Sequence, residues 1–228
     1  MTNKEDHNLD NPVWHALSEK HSTFALDYDG TKFYNPDYCP FGGFILPEST
    51  LTATKQYALL TDSFFIVGEK PEIDDSLTIV KELICLQMVI QDKIQLAIGT
   101  EILKLTESHN AELLQLVNLV QPGYFKTKTP LLGNYYGIFK EAQLIAVAGE
   151  RMKINDFTEV SAIITHPDHT GKGYAKQLIS HVVNNILDES KTPFLHVVEN
   201  NIGAISLYEK LGFVTRRKIS FWNVSKKQ

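Results

Sequence analysis

The chain has 228 residues, 43% of them hydrophobic and 21% charged, with 13 Gly and 9 Pro. This is the composition of a globular protein and excludes disordered, collagen-like and coiled-coil chains. Lys and Arg number 22 against 27 Asp and Glu, a net charge of −5 with histidine neutral, so no global field is available to hold a nucleic-acid backbone or an anionic membrane. At about 1.5 typical domain lengths, one enlarged domain and two small ones are both open.

Cys39 and Cys85 are the only cysteines. They are too few for a disulfide framework or a four-thiolate zinc site and read as free buried thiols in a reducing compartment, with a cytoplasmic location expected. The N-terminus, Met1 to Asp6, is acidic and polar without an apolar h-region and does not read as a secretory signal. The apolar-rich stretch from Ile79 to Ile98 is interrupted by Lys81, Glu82, Asp92 and Lys93, too many charges for a bilayer span. No nucleic-acid and no membrane partner is expected.

Along the chain, Trp14 and Leu17 predict a short helix, and the alternation of Phe24, Leu26 and Tyr28 into Asp29-Gly30 predicts a hairpin. Residues 48–60 read as helix, 63–67 as a strand, and the alternation through Ile84, Leu86, Met88 and Ile90 as another. The boundary expected near Gly99 divides an N-terminal α/β extension, 1–98, from a second unit, 99–228. In that unit a strand at 102–105 precedes Ser108 or Asn110 as the cap of a helix through Leu113, Leu114, Val117 and Val120, which Pro122-Gly123 ends. Strands at 134–140 and 143–151 have hairpin spacing, and a third runs 157–165. A glycine-containing loop then leads into a helix with the wide apolar stripe Tyr174, Leu178, Val182 and Ile186, followed by a strand at 194–198. Strand, helix and strand in that order require a crossover, so 157–165 and 194–198 are expected as parallel neighbours in a mixed sheet. A last helix, 201–211, is capped by Gly212, and 213–214 and 218–222 return as strand.

Chemistry concentrates in Thr170-Gly171-Lys172-Gly173-Tyr174-Ala175, between a strand and a helix start. Glycine lets a ligand approach the main chain, and the free amides of a helix N-terminus attract an anion, so this loop suits phosphate or pyrophosphate. It is neither of the two common phosphate loops: no Lys-Ser or Lys-Thr follows a G-x-x-x-x-G spacing, and Lys176 stands where a dinucleotide fingerprint has its third glycine. The segment Ile163-Ile164-Thr165-His166-Pro167-Asp168-His169 through Ala175 resembles the pyrophosphate-binding segment of the GNAT superfamily of N-acetyltransferases, in which Arg or Gln is followed by two residues, Gly, one residue, and Gly or Ala. Here Thr170 stands in the Arg or Gln place. Downstream, Asn201, Ala204, Leu207-Tyr208 and Gly212-Phe213 match that superfamily's Asn-x-x-Ala-x-x-Leu-Tyr-x-x-x-Gly-Phe segment. The resemblance extends through Ala148-Gly149-Glu150-Arg151 back to about Glu101. Asn11-Pro12-Val13-Trp14 and Pro40-Phe41-Gly42-Gly43-Phe44 are similar to features of one branch of the superfamily.

The resemblance implies a GNAT-type α/β fold: a mixed, mainly antiparallel sheet with a splayed parallel pair and flanking helices, plus the N-terminal extension, which would pack on the core and wall the acceptor site. It implies acetyl-CoA as co-substrate, its pantetheine arm lying against Ile163, Ile164 and Thr165 and its pyrophosphate on Thr170, Gly171, Lys172, Gly173, Tyr174 and Ala175. Asn201 would contact the arm, and the Tyr208 hydroxyl would serve the thioester sulfur. The implied activity is N-acetylation of a primary amine, on a small molecule or a peptide, by direct attack in a ternary complex, in a monomer or homodimer. An alkylammonium must lose a proton before it attacks. Glu159, on one strand face with Ser161 and Ile163 by period-2 alternation, is the first candidate base and Glu150 the second. Two alternatives remain open: a CoA-binding regulatory module without turnover, and an aminoacyl or peptidyl transferase on the same fold. The histidines His166, His169, His181 and His196 lack zinc spacing, so no metal is expected; His196 reads as a core histidine or a wall of the active site.

Overall fold

The computed structural model describes residues 6–227; the N-terminal segment read above for a signal lies almost wholly outside them. Among the described residues eleven strands form one sheet: β1 Ala25–Asp27, β2 Thr31–Tyr34, β3 Phe41–Phe44, β4 Ser63–Val67, β5 Leu77–Val89, β6 Leu103–Lys104, β7 Tyr135–Lys140, β8 Gln143–Lys153, β9 Phe157–Thr165, β10 Thr192–Val198 and β11 Val214–Lys226. The helices are α1 Pro12–Ser18, α2 Thr50–Tyr57, α3 Asn110–Val120, α4 Tyr174–Asp188 and α5 Ile202–Lys210. The Asp29-Gly30 turn has both residues at positive φ, 44° and 91°, the geometry whose twist matches a hairpin. Glu141 and Ala142, at φ 49° and 63°, make the same turn between β7 and β8 without an Asn or Gly to signal it.

The strand order is β1-β2-β3-β4-β11-β5-β10-β9-β8-β7-β6. The expected parallel neighbours, β9 and β10, are parallel, and the rest of the sheet is antiparallel apart from β3 and β4. The expected division at 98/99 falls between β5 and β6, and strands from both sides share the sheet, with β5 hydrogen-bonded between β10 and β11. The end of the chain forms a single strand, not two pieces. Arg216 is the extra residue of a bulge between Thr215 and Arg217, which keeps β11 paired to β5 on both sides of it.

Helix α4 lays Leu178, Ile179, Val182, Val183 and Ile186 on Val160, Leu195 and Val197, all buried in one core. Each such side chain contributes roughly 1.5–3 kcal/mol of burial, which holds the crossover rigidly over β9 and β10. The opposite face carries Phe194, packed with Leu9, Val13 and Leu17 around α1 and with Phe41 and Phe221. Helix α3 covers β7 to β9 through Leu113, Leu116 and Val117 against Tyr135, Val147 and Ile164. Among the described residues no helix is long and apolar enough to cross a membrane.

Candidate active site

Strands β9 and β10 pair only at Thr192 with Phe157, Pro193 with Thr158 and Phe194 with Glu159; beyond Glu159 they part. The parting begins beside a kink in β9. Ala162 sits at φ 50°, and the register against β8 slips between Ser161 opposite Gly149 and Ile164 opposite Val147, which is a β-bulge. The strict alternation expected for Glu159, Ser161 and Ile163 therefore fails: four successive residues, Val160 to Ile163, line the cavity that opens in the gap.

The cavity holds about 240 Å³. Ile163, Asn201 and Tyr208, expected together from sequence, all line it, joined by Arg151 of β8 and His196 of β10. Phe41, Leu83 and Cys85 from the first 98 residues and Tyr124 and Phe125 from the segment after α3 close the other wall. Ile164 is buried under α3, and Thr165 pairs with Ala146 of β8; neither lines the cavity.

The loop of residues 170–175 stands outside the cavity, at the C-terminal end of β9. Gly171 and Gly173 are both left-handed, at φ 76° and 77°, a conformation that costs other residues more. Gly173 caps α4, and the first amide of that region to find a carbonyl is that of Gln177, bonded to Gly173. Among the described residues the N–H groups from Gly171 to Lys176 have no backbone acceptors, at the positive end of a 15-residue helix. A Cβ built on Gly171 would meet nothing within 4 Å, so the main chain there is open to a ligand. The Thr170 hydroxyl donates to the Pro167 carbonyl at 3.1 Å and is spent on the loop. His169 lies below its ordinary pKa, from desolvation and then from Lys172, Lys140 and His166, a basic neighbourhood that favours an anion.

Asn201 caps α5, its side-chain oxygen accepting from the Ala204 amide at 3.3 Å, and it lines the cavity. Tyr208 is 8% exposed, and its hydroxyl makes no hydrogen bond with protein groups among the described residues. Burial pushes its phenol up to about 12, so it is a proton donor throughout the neutral range.

Neither expected base presents an oxygen to the cavity. Glu159 is fully buried. Arg151 donates to both its oxygens, Nε to Oε2 and Nη2 to Oε1, each at 2.7 Å, and His196 Nδ1 lies 2.8 Å from Oε1. Burial alone would raise its pKa, but Arg151 and His196 hold it well below the carboxylate range; a carboxylate so placed is an anchor and a poor base. Glu150, also buried, accepts from the Asn134 amide at 3.0 Å and from Lys153 at 2.6 Å.

What sequence reasoning missed is a row of polar side chains across five neighbouring strands: Arg151 on β8, Glu159 on β9, His196 on β10, Gln87 on β5 and Arg216 on β11. Gln87 donates to the Leu9 carbonyl at 2.8 Å while its oxygen accepts from Arg216 at 3.0 Å, which fixes its amide. Its nitrogen therefore faces His196 Nε2, at 3.2 Å, and both ring nitrogens of His196 are engaged. No local signal carries such a row, because it exists only once the register is set. Cys85, read from sequence as a free buried thiol, is one and also lines the cavity; burial pushes its thiol up to about 12, so it is protonated and a weak nucleophile.

Residues 135–222 match the family model of FR47-like proteins. Among solved structures, a GNAT-family protein from Novosphingobium aromaticivorans is 27% identical, over 98% of this chain and 100% of its own, with a TM-score of 0.89. A GCN5-related N-acetyltransferase from Kribbella flavida, 12% identical over 100% of this chain and 97% of its own with a TM-score of 0.63, shares the fold. So does a GCN5-related N-acetyltransferase-like protein from Streptococcus suis, 14% identical over 98% of each chain with a TM-score of 0.60. No curated protein matches the sequence.

Proposed function

The chain belongs to the GNAT superfamily, by its fold and its FR47-like segment, and on that premise we propose that it transfers the acetyl group of acetyl-CoA to a primary amine. The observation that carries this is the unpaired edge of β9 along the gap, together with the bare amides and left-handed glycines of the loop that follows β9 and the buried Tyr208 phenol in the cavity wall. The residues fit the co-substrate. The amides of Gly171 to Ala175 would hold its pyrophosphate, and the main chain near Ile163 to Thr165, with Asn201, its pantetheine arm. The thioester supplies an activated acyl group with a thiolate leaving group. Tyr208 donates a hydrogen bond to that sulfur. A phenol near 12 is a weaker acid than a thiol of about 8.5, so it stabilises the thiolate without surrendering its proton.

With Glu159 and Glu150 both committed and both His196 nitrogens engaged, the acceptor amine loses its proton to solvent before it attacks. Cys85 as a high-pKa thiol favours direct transfer in a ternary complex over an acyl-enzyme. The test is thiol release from acetyl-CoA over a panel of amines, alongside thermal melting with acetyl-CoA and with CoA. Amine-dependent release supports transfer. Stabilisation by CoA with no turnover on any amine favours a regulatory CoA-binding module instead.

A further inference from the structure

Resting on that acetyl-transfer reading, we propose that the acceptor is an amino acid with a large apolar or aromatic side chain, whose free carboxylate is received by Arg151.

Arg151 is 15% exposed and lines the cavity. Its guanidinium is locked on two sides: Nε and one Nη2 hydrogen go to Glu159, and the plane lies over the Phe41 ring at 4.7 Å from the centroid. A guanidinium has five N–H donors, so three remain, and none has an acceptor among the described protein groups. They form the second fork of a rigid planar group whose first fork is already filled, and that fork matches a carboxylate in shape and charge. No Arg151 nitrogen is among the sealed, unpartnered atoms of the described residues, so these donors are open at the cavity wall, where an entering carboxylate would meet them.

The rest of the lining points the same way. Among the described residues no Asp or Glu lines the cavity, so a bare alkylammonium, and still more a polyamine or an aminoglycoside, would enter without a counter-charge. An amino acid brings its own, and Arg151 and Glu159 already balance each other. Phe41, Tyr124, Phe125, Phe221 and Leu83 form the wall and leave an apolar body for the side chain to occupy. Arg151 thus acts as a specificity-determining residue that touches the acceptor, and Glu159, the expected base, acts through it as a positioning residue.

The experiment compares kcat/KM with acetyl-CoA for the twenty standard amino acids, for their amides, for amines lacking the carboxylate such as phenethylamine beside phenylalanine, and for spermidine. Melting with acetyl-CoA is measured on the same samples. The expected result is that large apolar amino acids exceed their carboxylate-free counterparts by about 10- to 100-fold, the scale of one charged hydrogen-bonded contact. In Arg151→Gln the two should converge. Because that change strands buried Glu159, the double variant Arg151→Gln/Glu159→Gln, which leaves no unpaired charge, is measured beside it and should converge equally. Amides, simple amines or spermidine matching the amino acids in the wild type would overturn the proposal while leaving acetyl transfer intact. Discrimination that survives in a folded variant would also overturn it, as would acetyl-CoA binding with no amino acid acetylated. Loss of any acetyl-CoA stabilisation would remove the acetyl-transfer reading as well.

Discussion

Tyr208 and His21 show how burial sets what a single side chain can do. The Tyr208 ring packs on Phe213 at 6.0 Å between centroids and keeps its place without the hydroxyl. Tyr208→Phe should therefore lower kcat by about 10- to 100-fold, the loss of one hydrogen bond to a developing anion, with acetyl-CoA affinity within a few-fold by titration; unchanged kcat would remove its role. His21 donates from Nε2 to the Leu132 carbonyl at 3.0 Å and accepts from the Tyr34 hydroxyl at Nδ1, 2.8 Å away. Burial lowers its pKa from 6.5 to about 4, against the opposing Leu132 bond. The unfolded chain therefore binds this proton more readily, so the stability His21 contributes is complete above about pH 6.5 and is lost as pH falls toward 4. That loss should be about 3 kcal/mol in denaturant melts, and His21→Gln should flatten the slope in this window.

Elements with a local signal were legible from sequence, and the devices inside them were not. Ser63 to Val67 and Phe157 to Thr165 read as strands at the bounds the structure has, because alternation and flanking turn residues act over a few positions. The place of the glycine loop ahead of α4 was legible for the same reason, whereas the left-handed φ of Gly171 and Gly173 was not read, and Asn201, read as the first residue of the last helix, is its N-cap. The bulge at Ala162 was not, since no glycine marks it and its cause is the register against β8. Glu159 lies before the bulge and shares the face of Ser161, as alternation predicts, but what alternation does not carry is that Arg151 and His196, both of the cavity wall, seal its carboxylate off. The loop before α4 offers a clean test of its conformation. Gly171→Ala adds a methyl into open space at φ 76°, so its stability cost should be about 1–2 kcal/mol from backbone strain alone. If the bare amides are the pyrophosphate cradle, acetyl-CoA affinity should fall in the same variant; unaltered affinity would make the loop a plain turn.

At the scale of the molecule, the long-range order of the sheet is what no window of sequence contains. Strand β5 lies between β10 and β11, which are distant from it in sequence, and it brings Gln87 into the polar row and Cys85 to the cavity wall. Removing residues 1–98 would strip β10 and β11 of their shared partner and uncover the Phe194 and Phe221 face. A chain of 99–228 alone is therefore expected to lack a cooperative melt, and a sharp transition at the intact protein's Tm would contradict that. The proposed function makes one site of the β9 edge, the α4 amides and Tyr208. Calorimetric titration of the intact protein with acetyl-CoA tests this most directly. Saturable one-to-one binding, weakened in Gly171→Ala and kept in Tyr208→Phe, is the predicted result; no heat and no thermal stabilisation with acetyl-CoA or CoA would contradict the account.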